Sequence, residues 1–278
     1  MGIGLQALQL TLNLWQEGRL KKCKSVMEIG SQDIHAHQDH LASALKRVSN
    51  FNRKDDNTIT PEDFYLHLGI NKYRCIDADG RNKALVFDLN KDLKKEYNYV
   101  EKFDLVTNHG TTEHCFDQYQ VFRNIHNLCA TEGFMIHGLP FQGYLNHGFY
   151  NYQPSFYYDL ASANGYVLEG LYLNIHHASG DIVPYSDELM KYLYLPPGTD
   201  TLLFAVFRKM EDAEFVTPFN GQYIEGSLLD INSPRIIKQF FPGERLERST
   251  DVASMSVIRI AKLLLRKIFS KASNLWLK

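Results

Sequence analysis

Short apolar runs that end in polar residues recur along the chain, and most are separated by helical patterns. The predicted strands are 25–29, 73–77, 84–87, 103–108, 133–137, 167–174 and 201–208. Apolar residues at helical spacing predict helices over 3–20, 34–48, 117–128 and 154–164. Strands that alternate with helices form a mainly parallel sheet with helices on both faces. The last two runs have no helix pattern between them, so we expect an antiparallel edge. The sequence therefore predicts an α/β, Rossmann-like, seven-stranded sheet.

The predicted sheet domain covers residues 1–212, and residues 213–278 form an extension with a helical tail. Two polar segments interrupt the domain, an excursion over 50–71 and an insert over 180–199. Within the excursion, Thr60-Pro61-Glu62-Asp63 has a capping residue, then Pro at the first helical position, then two acids. That order predicts the start of a short helix.

Composition excludes several classes of protein. Of the 278 residues, 44% are hydrophobic and 22% are charged, as in an ordinary soluble domain, and a net charge of −2 does not favour nucleic-acid binding. No apolar run approaches the ~18 residues of a transmembrane helix. The four cysteines form no CxxC pair, which indicates free thiols in a reducing cytoplasm rather than a zinc site or a disulfide framework.

Five successive predicted strands end in polar or small residues. These are Glu28, Gly30, Ser31 and Gln32 after the first strand, Asp77 after the second, Asp88 after the third, Asn108 and His109 after the fourth, and His137 after the fifth. Ligands of open parallel sheets bind outside the carboxyl ends of the strands, so these residues predict one continuous cleft. An acid closing the second strand can accept both ribose hydroxyls, and Asp88 can accept from a purine amino group. The chemistry indicates a nucleoside ligand.

This set resembles the class I S-adenosylmethionine-dependent methyltransferases over about residues 20–210. Their acid-x-Gly loop matches Glu28-Ile29-Gly30, their ribose acid matches Asp77 in CIDADG, their third acid matches Asp88 in LVFDLNKDL, and their fourth strand matches FDLVTN, which ends at Asn108. The late strand pair resembles that family's antiparallel edge. Ser31 and Asp33 stand where the family has further glycines. A nicotinamide cofactor needs a GxGxxG turn for its pyrophosphate, which GSQDIH lacks.

The resemblance implies that S-adenosylmethionine is the cofactor. Asp77 would hold the ribose, and the adenine would lie near Asp88 and Leu89. The full set of predicted cofactor-binding residues is Glu28, Gly30, Ser31, Gln32, Asp77, Asp88, Leu89, Asn108 and His109. The alternatives are a capping or salt-bridged role for Glu28 and a turn-initiating role for each Asp.

Histidine suits the removal of a hydroxyl proton near neutral pH. His147, in an aromatic-rich loop without apolar periodicity, is the first candidate for the catalytic base and His109 is the second; His114 and His137 are further candidates. A structural, backbone-bonded histidine is the alternative for His147. His109, Glu113 and His114 could form a metal site, but two helix-spaced ligands normally need a third from elsewhere, so no metal site is predicted.

The acceptor is inferred from resemblance alone. NHGFYNYQPSFYYDLASANGY resembles methyltransferases found among bacterial surface-polysaccharide and sugar-modifying genes, which implies O-methylation of a small sugar-like acceptor. Aromatic residues of 149–158 could line a sugar pocket, although Phe156 and Tyr157 are expected in the core. The alternative function is a non-catalytic binding or scaffold subunit, because the glycine loop is degenerate.

Residues 252–278 combine basic side chains with apolar residues at helical spacing. A basic amphipathic helix can lie on an anionic membrane, pack on the protein's own core or contact a second subunit in a homo-oligomer. Packing is the favoured interpretation. The predicted location is the cytoplasm, with the inner membrane face as the place of any peripheral contact.

Overall fold

The computed structural model describes residues 2–46, 58–175, 182–193, 195 and 199–221. The predicted helical tail over 252–278 lies outside the described residues, as do parts of the predicted excursion and insert. The strands are β1 (Gly2–Ile3), β2 (Ser25–Ile29), β3 (Asp33–Ile34), β4 (Lys72–Ile76), β5 (Phe103–His109), β6 (Cys129–Gln142), β7 (Tyr166–Ile175), β8 (Ile182–Pro184) and β9 (Thr201–Lys209). The helices are α1 (Leu5–Gln16), α2 (Gln38–Lys46), α3 (Pro61–His67), α4 (Leu93–Tyr97), α5 (Gln118–Leu128), α6 (Pro154–Asn164) and α7 (Asp187–Tyr192).

Seven of these strands form one sheet in the order β4-β2-β5-β6-β9-β7-β8. The pairs β2–β4, β2–β5 and β5–β6 are parallel, whereas β6–β9, β7–β9 and β7–β8 are antiparallel. The α/β class and the antiparallel edge are confirmed. The expectation of a mainly parallel sheet is wrong, because the antiparallel part contributes as many strand pairs as the parallel part. The sheet is mixed.

The predicted strand over 84–87 is replaced by a single parallel bridge between Ile76 and Leu85. Leu85 exchanges backbone hydrogen bonds with Cys75 and Asp77, but Val86 is exposed and Phe87 turns to stack on Tyr97. The apolar run is too short to bury both faces, so it ends after one bridge. The seventh strand is instead β8, inside the segment that we predicted to be an insert.

Helices cover both faces of the sheet, as predicted, and β9 shows why. Phe204 and Val206 belong to the core that includes Leu8 of α1, Leu41 of α2 and Phe64 of α3. The next residue, Phe207, contacts Tyr157 of α6 and Tyr166 instead. Side chains alternate across a strand, so a strand buried on both faces needs apolar residues at consecutive positions. The continuous run LLFAVF in β9 meets that requirement.

Local sequence signals define several helix ends. Thr60 caps α3 and forms a capping box with Asp63, as the sequence predicts. Asp117 caps α5, and Gly165 ends α6 in the left-handed conformation. The predicted helix over 34–48 begins only at Gln38, because Asp33 and Ile34 pair with Gly2 and Ile3 in a small parallel sheet. This pairing draws the amino terminus towards the loop after β2.

Residues 210–221 continue from β9 along the helices α5 and α6. His126 of α5 bonds through Nε2 to the carbonyl of Ala213 (2.7 Å), and the Asn164 amide pairs with both backbone groups of Val216. Residues 213–221 belong to the segment that we assigned to the extension. Ala213 and Val216 in this segment form hydrogen bonds with the sheet domain. Residues 185–193, including α7, belong to a second compact unit. In the described part of the chain, no helix has the length and apolarity to cross a membrane.

Candidate active site

The loop after β2 begins at the carboxyl edge of the sheet, where the sequence predicts a ligand. Gly30 has a φ of +89°, a conformation that favours glycine. A Cβ atom at this position would lie 2.3 Å from Thr111 Oγ1 and 2.8 Å from Gln32 Nε2. Thr111, which follows β5, donates a 2.7 Å hydrogen bond to the Ile29 carbonyl. Glycine is therefore needed here for the close approach of the loop after β5, as well as for its backbone angle.

The loops after β2 and β4 are joined by hydrogen bonds. Asp77 accepts from the Ser31 backbone N–H through Oδ2 (2.7 Å) and from the Asp79 N–H through Oδ1 (3.2 Å). Ser31 Oγ donates to the Arg81 carbonyl and accepts from Asn82. Asp77 thus lies beside the Gly30 loop, as predicted. Its carboxylate stabilises that loop from the side.

Ser31 and Gln32 are fully buried, and their side chains bond to the protein. Gln32 Nε2 donates to Thr111 Oγ1 at 3.2 Å, while Gln32 Oε1 accepts no hydrogen bond among the described residues. Both residues lie at the predicted cofactor edge. The Gln32 side chain fills the space between the ends of β2 and β5, whereas the Ser31 side chain bonds to the loop after β4.

Glu28 lies beneath the loop within β2 and is fully buried. Tyr73 donates a 2.6 Å hydrogen bond to Glu28 Oε2. Burial raises the pKa of Glu28 to about 8, against the lowering effect of Tyr73 and of the Gln32 backbone N–H. The structure therefore gives Glu28 contacts with the protein interior, and its carboxyl group supports the Gly30 loop from below.

Asp88 and Leu89 follow the bridge at Leu85. Leu89 is buried, whereas Asp88 is exposed and accepts hydrogen bonds from Asn90 through Oδ1. Burial, followed by the charges of Asp88, Glu113 and Asp77, raises the pKa of the Cys115 thiol to about 12. The negative charges of Asp88, Glu113 and Asp77 therefore all act on this one thiol.

Asn108 lies near the end of β5 and bonds to His137 of the neighbouring strand β6. The prediction that the fifth strand ends at His137 is wrong, because β6 continues to Gln142 and pairs with β9 along that length. Asn108 Nδ2 lies 3.1 Å from His137 Nδ1 and also donates to Thr112 Oγ1 at 3.0 Å. Both residues are buried, and burial lowers the pKa of His137 to about 3. Their side chains hold the loop after β5 in place, so the structure gives Asn108 a protein partner at the predicted cofactor edge.

A cavity of about 540 Å³ opens beside this edge. Its walls come from the amino terminus, the segment after β3, the loop after β5, the loop after β6, and β9. The polar side chains that line it are Gln6, His35, His37, His109, Glu113, Tyr144 and His147. Both predicted catalytic histidines therefore face one cavity.

His109 is buried, and neither of its ring nitrogens has a hydrogen-bond partner among the described residues. Burial lowers the pKa of His109 to about 4, so the ring is neutral near pH 7. Gly138, opposite it on β6, makes room for the ring: a Cβ atom there would lie 2.8 Å from His109 Nδ1. The ring therefore faces the cavity as a neutral imidazole, and burial makes it a weaker base than an exposed histidine.

His147 lies beside Glu113. Its Nε2 atom is 3.8 Å from Glu113 Oε1, and His114 Nε2 is 3.9 Å from the same oxygen. The side chain of Glu113 is only 1% exposed, and burial raises its pKa to about 7. His114 and His147 are partly exposed, with ring centroids 4.9 Å apart. Two imidazoles thus flank one buried carboxyl group.

The loop over 143–149 brings His147 to this position. Its backbone turns through positive φ angles at Gly143, Tyr144 and Asn146. Phe149 then donates its N–H to the Glu113 carbonyl at 2.8 Å, and a Cβ atom at Gly148 would lie 3.0 Å from that carbonyl oxygen. Glycine at 148 allows the loop to lie directly against Glu113.

Sequence reasoning missed the walls of the cavity. It assigned no function to Gln6, His35 or Tyr144, and it considered Glu113 only as a metal ligand together with His109 and His114. Nothing in the local pattern links residues near the amino terminus to β5. The available signal was Gly148, next to His147. A glycine outside an evident turn motif often marks a place where another segment lies close to the backbone.

The nucleoside end of an adenosyl donor fits this edge. A carboxylate has about four lone-pair sites, so Asp77 can accept ribose hydroxyls in addition to its two N–H donors. Asp88, exposed at the same edge, is open to an adenine amino group. Less space is open at Gly30 than at Asp88, because the Gln32 and Thr111 side chains hydrogen-bond to each other beside Gly30.

No family model matches the chain, and no curated protein matches it. Solved structures with a similar arrangement include StiE O-MT (16% identity, 75% of each chain, TM-score 0.38) and an S-adenosylmethionine-dependent methyltransferase from Archaeoglobus fulgidus (12% identity, 73% of this chain and 94% of that chain, TM-score 0.40). Another is an O-methyltransferase from a trans-AT PKS multienzyme of Brevibacillus brevis in complex with S-adenosyl-L-homocysteine (11% identity, 75% of this chain and 73% of that chain, TM-score 0.42).

Proposed function

We propose that the protein is an S-adenosylmethionine-dependent methyltransferase that acts on an oxygen atom of a small, sugar-like acceptor. The observation that carries the proposal is the meeting of two features at one sheet edge. Carboxylates suited to a nucleoside lie after β4 and the Leu85 bridge, and a cavity with two candidate bases opens at the end of β5, two strands along the sheet from β4. The β6–β9–β7 arrangement supports the fold that the sequence resembles.

When bound, the donor supplies an activated methyl group, and the residues of this chain hold the reacting groups. Asp77 would bind the ribose, and Asp88 with Leu89 would border the adenine. Gly30 would allow the backbone to approach, with Glu28 supporting its loop from below. Most of the catalytic effect would come from positioning for in-line attack.

Removal of the acceptor proton is assigned to a histidine of the cavity, His147 or His109. His147 is partly exposed and lies beside Glu113, so it is accessible to a bound hydroxyl. His109 is neutral, and among the described residues neither of its ring nitrogens has a hydrogen-bond partner. The proton moves from the acceptor hydroxyl to an imidazole nitrogen, and the oxygen is then able to attack the methyl carbon.

The sugar-like acceptor is supported by the polar side chains of the cavity. Amide, imidazole, carboxyl and phenol groups surround a space of about 540 Å³, which suits a ligand with several hydroxyl groups. A labelled-methyl assay with a panel of monosaccharides and sugar nucleotides tests the class, with catechol as the comparison. Transfer to catechol alone would reject a sugar-like acceptor.

Calorimetry with S-adenosylhomocysteine tests the cofactor. We expect binding to the wild-type chain and at least tenfold weaker binding to Asp77→Ala. Asp33→Asn is the matched control. Asp33 is an exposed acid near the Gly30 loop, and its carboxylate pairs with Arg81. A folded sample that does not bind the ligand at millimolar concentration would sink the proposal. An unchanged affinity in Asp77→Ala would remove Asp77 from the site.

The second candidate is a non-catalytic binding or scaffold subunit with this fold. The closed loop favours it, because Ser31 and Gln32 bury their side chains against the protein. This candidate predicts no methyl transfer to any acceptor, even where S-adenosylhomocysteine binds, and no loss of function in His147→Ala. Turnover that depends on His147 or His109 would reject it.

A further inference from the structure

We infer that Glu113, His114 and His147 form a binding site for a divalent transition-metal ion in the wall of the cavity. One ligand atom of each residue lies within 4.8 Å of those of the other two. Sequence reasoning considered Glu113 and His114 with His109, and lacked a further ligand from elsewhere. The structure supplies His147, from a loop 34 positions along the chain from Glu113.

The spacing of the three side chains is close to that of a metal site. Bonds of about 2.1 Å at tetrahedral angles place ligand atoms roughly 3.4 Å apart. Glu113 Oε1 lies 3.9 Å from His114 Nε2 and 3.8 Å from His147 Nε2. All three ligand atoms lie within 4.8 Å of one another, so side-chain rotations that bring the two imidazoles closer together would complete the geometry.

Glu113 provides the observation that points to a ligand. Its side chain is 1% exposed, and among the described residues none donates a hydrogen bond to either oxygen. Burying such a polar group without partners is costly, and buried carboxylates are normally hydrogen-bonded, paired or bound to metal. An ion between Glu113 and the two imidazoles would satisfy it.

The backbone holds the ligands in this arrangement without an ion. The Phe149 N–H donates to the Glu113 carbonyl, and the His147 N–H donates to the Tyr144 carbonyl. The ring of His147 contacts the rings of His114 and Tyr144 edge to face. The site is therefore preorganised, because both ligand-bearing segments are fixed to each other.

The donor set selects the class of ion. Two imidazole nitrogens and one carboxylate oxygen suit Zn²⁺ and neighbouring transition metals, whereas Mg²⁺ and Ca²⁺ prefer oxygen ligands. Three protein ligands leave at least one coordination position open, as in catalytic zinc sites. Since Glu113 and His147 line the cavity, an acceptor hydroxyl can occupy that position.

The role of the ion rests on the proposed function. A bound ion lowers the pKa of a coordinated hydroxyl. His147 would then bind the ion through Nε2, and His109, which lines the same cavity and has no hydrogen-bond partner among the described residues, would be the base for the acceptor proton. The ion thus selects between the two candidate bases.

Metal titration of the full chain tests the site. After treatment with a chelator, Co²⁺ is added and its visible absorption is followed, and Zn²⁺ affinity is measured by calorimetry with Mg²⁺ as the comparison. We expect one equivalent of Co²⁺ to bind and Zn²⁺ to displace it. Affinity should fall at least 100-fold in His114→Ala, His147→Ala and Glu113→Gln.

His37→Ala is the matched control, because His37 lines the same cavity outside the cluster. It should keep the wild-type metal affinity. His114→Ala keeps the test decisive if Glu113→Gln does not fold, because the His114 side chain is about one third exposed. Absence of Co²⁺ binding, or binding unchanged in all three cluster variants, would overturn the inference.

Measuring S-adenosylhomocysteine binding on the same samples separates the two proposals. Metal binding without S-adenosylhomocysteine binding would keep the ion site and reject the methyltransferase. Binding of S-adenosylhomocysteine without metal would reject the ion site alone.

Discussion

At the scale of single residues, the predicted site divides into groups that face ligand space and groups that hold the loops. The cavity lies beside His109 and His147, and solvent reaches Asp77 and Asp88. Glu28 and Gln32, by contrast, are fully buried. A strand-end motif identifies the residue type at each position. It does not reveal whether the side chain points outwards, because that depends on neighbours such as Tyr73 and Thr111.

The buried acid at position 28 makes stability depend on pH. The folded pKa of Glu28 is about 8, above its ordinary value of 4.5, so between these values the folded chain holds a proton that the unfolded chain lacks. The contribution of protonated Glu28 to the free energy of unfolding is fully present at low pH. It declines by about 1.4 kcal/mol per pH unit as the pH rises from 4.5 towards 8.

Glu28→Gln should remove that dependence. In urea unfolding from about pH 5 to about pH 8, the stability of the variant relative to wild type should rise with pH. A constant difference across this range would mean that Glu28 is already ionised in the folded protein.

At the scale of elements, the loop over 143–149 determines whether Glu113 has a histidine beside it. The loop lies against the residues after β5 through one backbone hydrogen bond and one glycine contact. The helices and strands around it follow sequence patterns: Thr60 and Asp63 cap α3 as predicted, and Ser25–Ile29 has the predicted bounds. The loop has no comparable pattern, so its conformation depends on what it packs against.

Gly148→Ala should separate His147 from Glu113. The added methyl group would lie 3.0 Å from the Glu113 carbonyl and Cγ, tighter than ordinary contact, so the loop must shift. We expect metal affinity and methyl transfer to fall at least tenfold, with S-adenosylhomocysteine affinity unchanged. Gly165→Ala is the control for glycine replacement, because nothing lies within 4 Å of the added Cβ and its cost is confined to the left-handed backbone at the end of α6. Equal losses in both variants would contradict the role of the loop contact.

At the scale of the whole molecule, the segment over 210–221 holds the end of the described chain against α5 and α6. Lys209, which is buried, donates to the carbonyls of His126 and Cys129, and Asn164 bonds both backbone groups of Val216. These contacts connect residues more than 50 positions apart. The segment therefore contributes to the stability of the sheet domain.

Asn164→Ala should lower the free energy of unfolding by about 1–3 kcal/mol, because Val216 loses two partners and Asn164 also bonds Leu160. Urea unfolding measures the loss, and limited proteolysis should show faster cleavage within 210–221. Asn127→Ala, at an exposed position of α5, is the control for the removal of an asparagine amide. Cleavage at the wild-type rate would contradict the docking role of Asn164.

The sequence by itself determined the alternation of strands and helices, the carboxylates at the strand ends and the antiparallel edge. These features follow from local periodicity, from turn chemistry and from the resemblance. Only the tertiary structure decided that Leu85 forms a bridge rather than a strand, that β8 joins the sheet and that Ser31 bonds to Asp77. It also brought His147 to Glu113, because a contact across 34 positions depends on the packing of one loop on another. Local sequence therefore predicts which residue types end the strands, whereas the contacts of each residue depend on the packing of segments that are distant in the sequence.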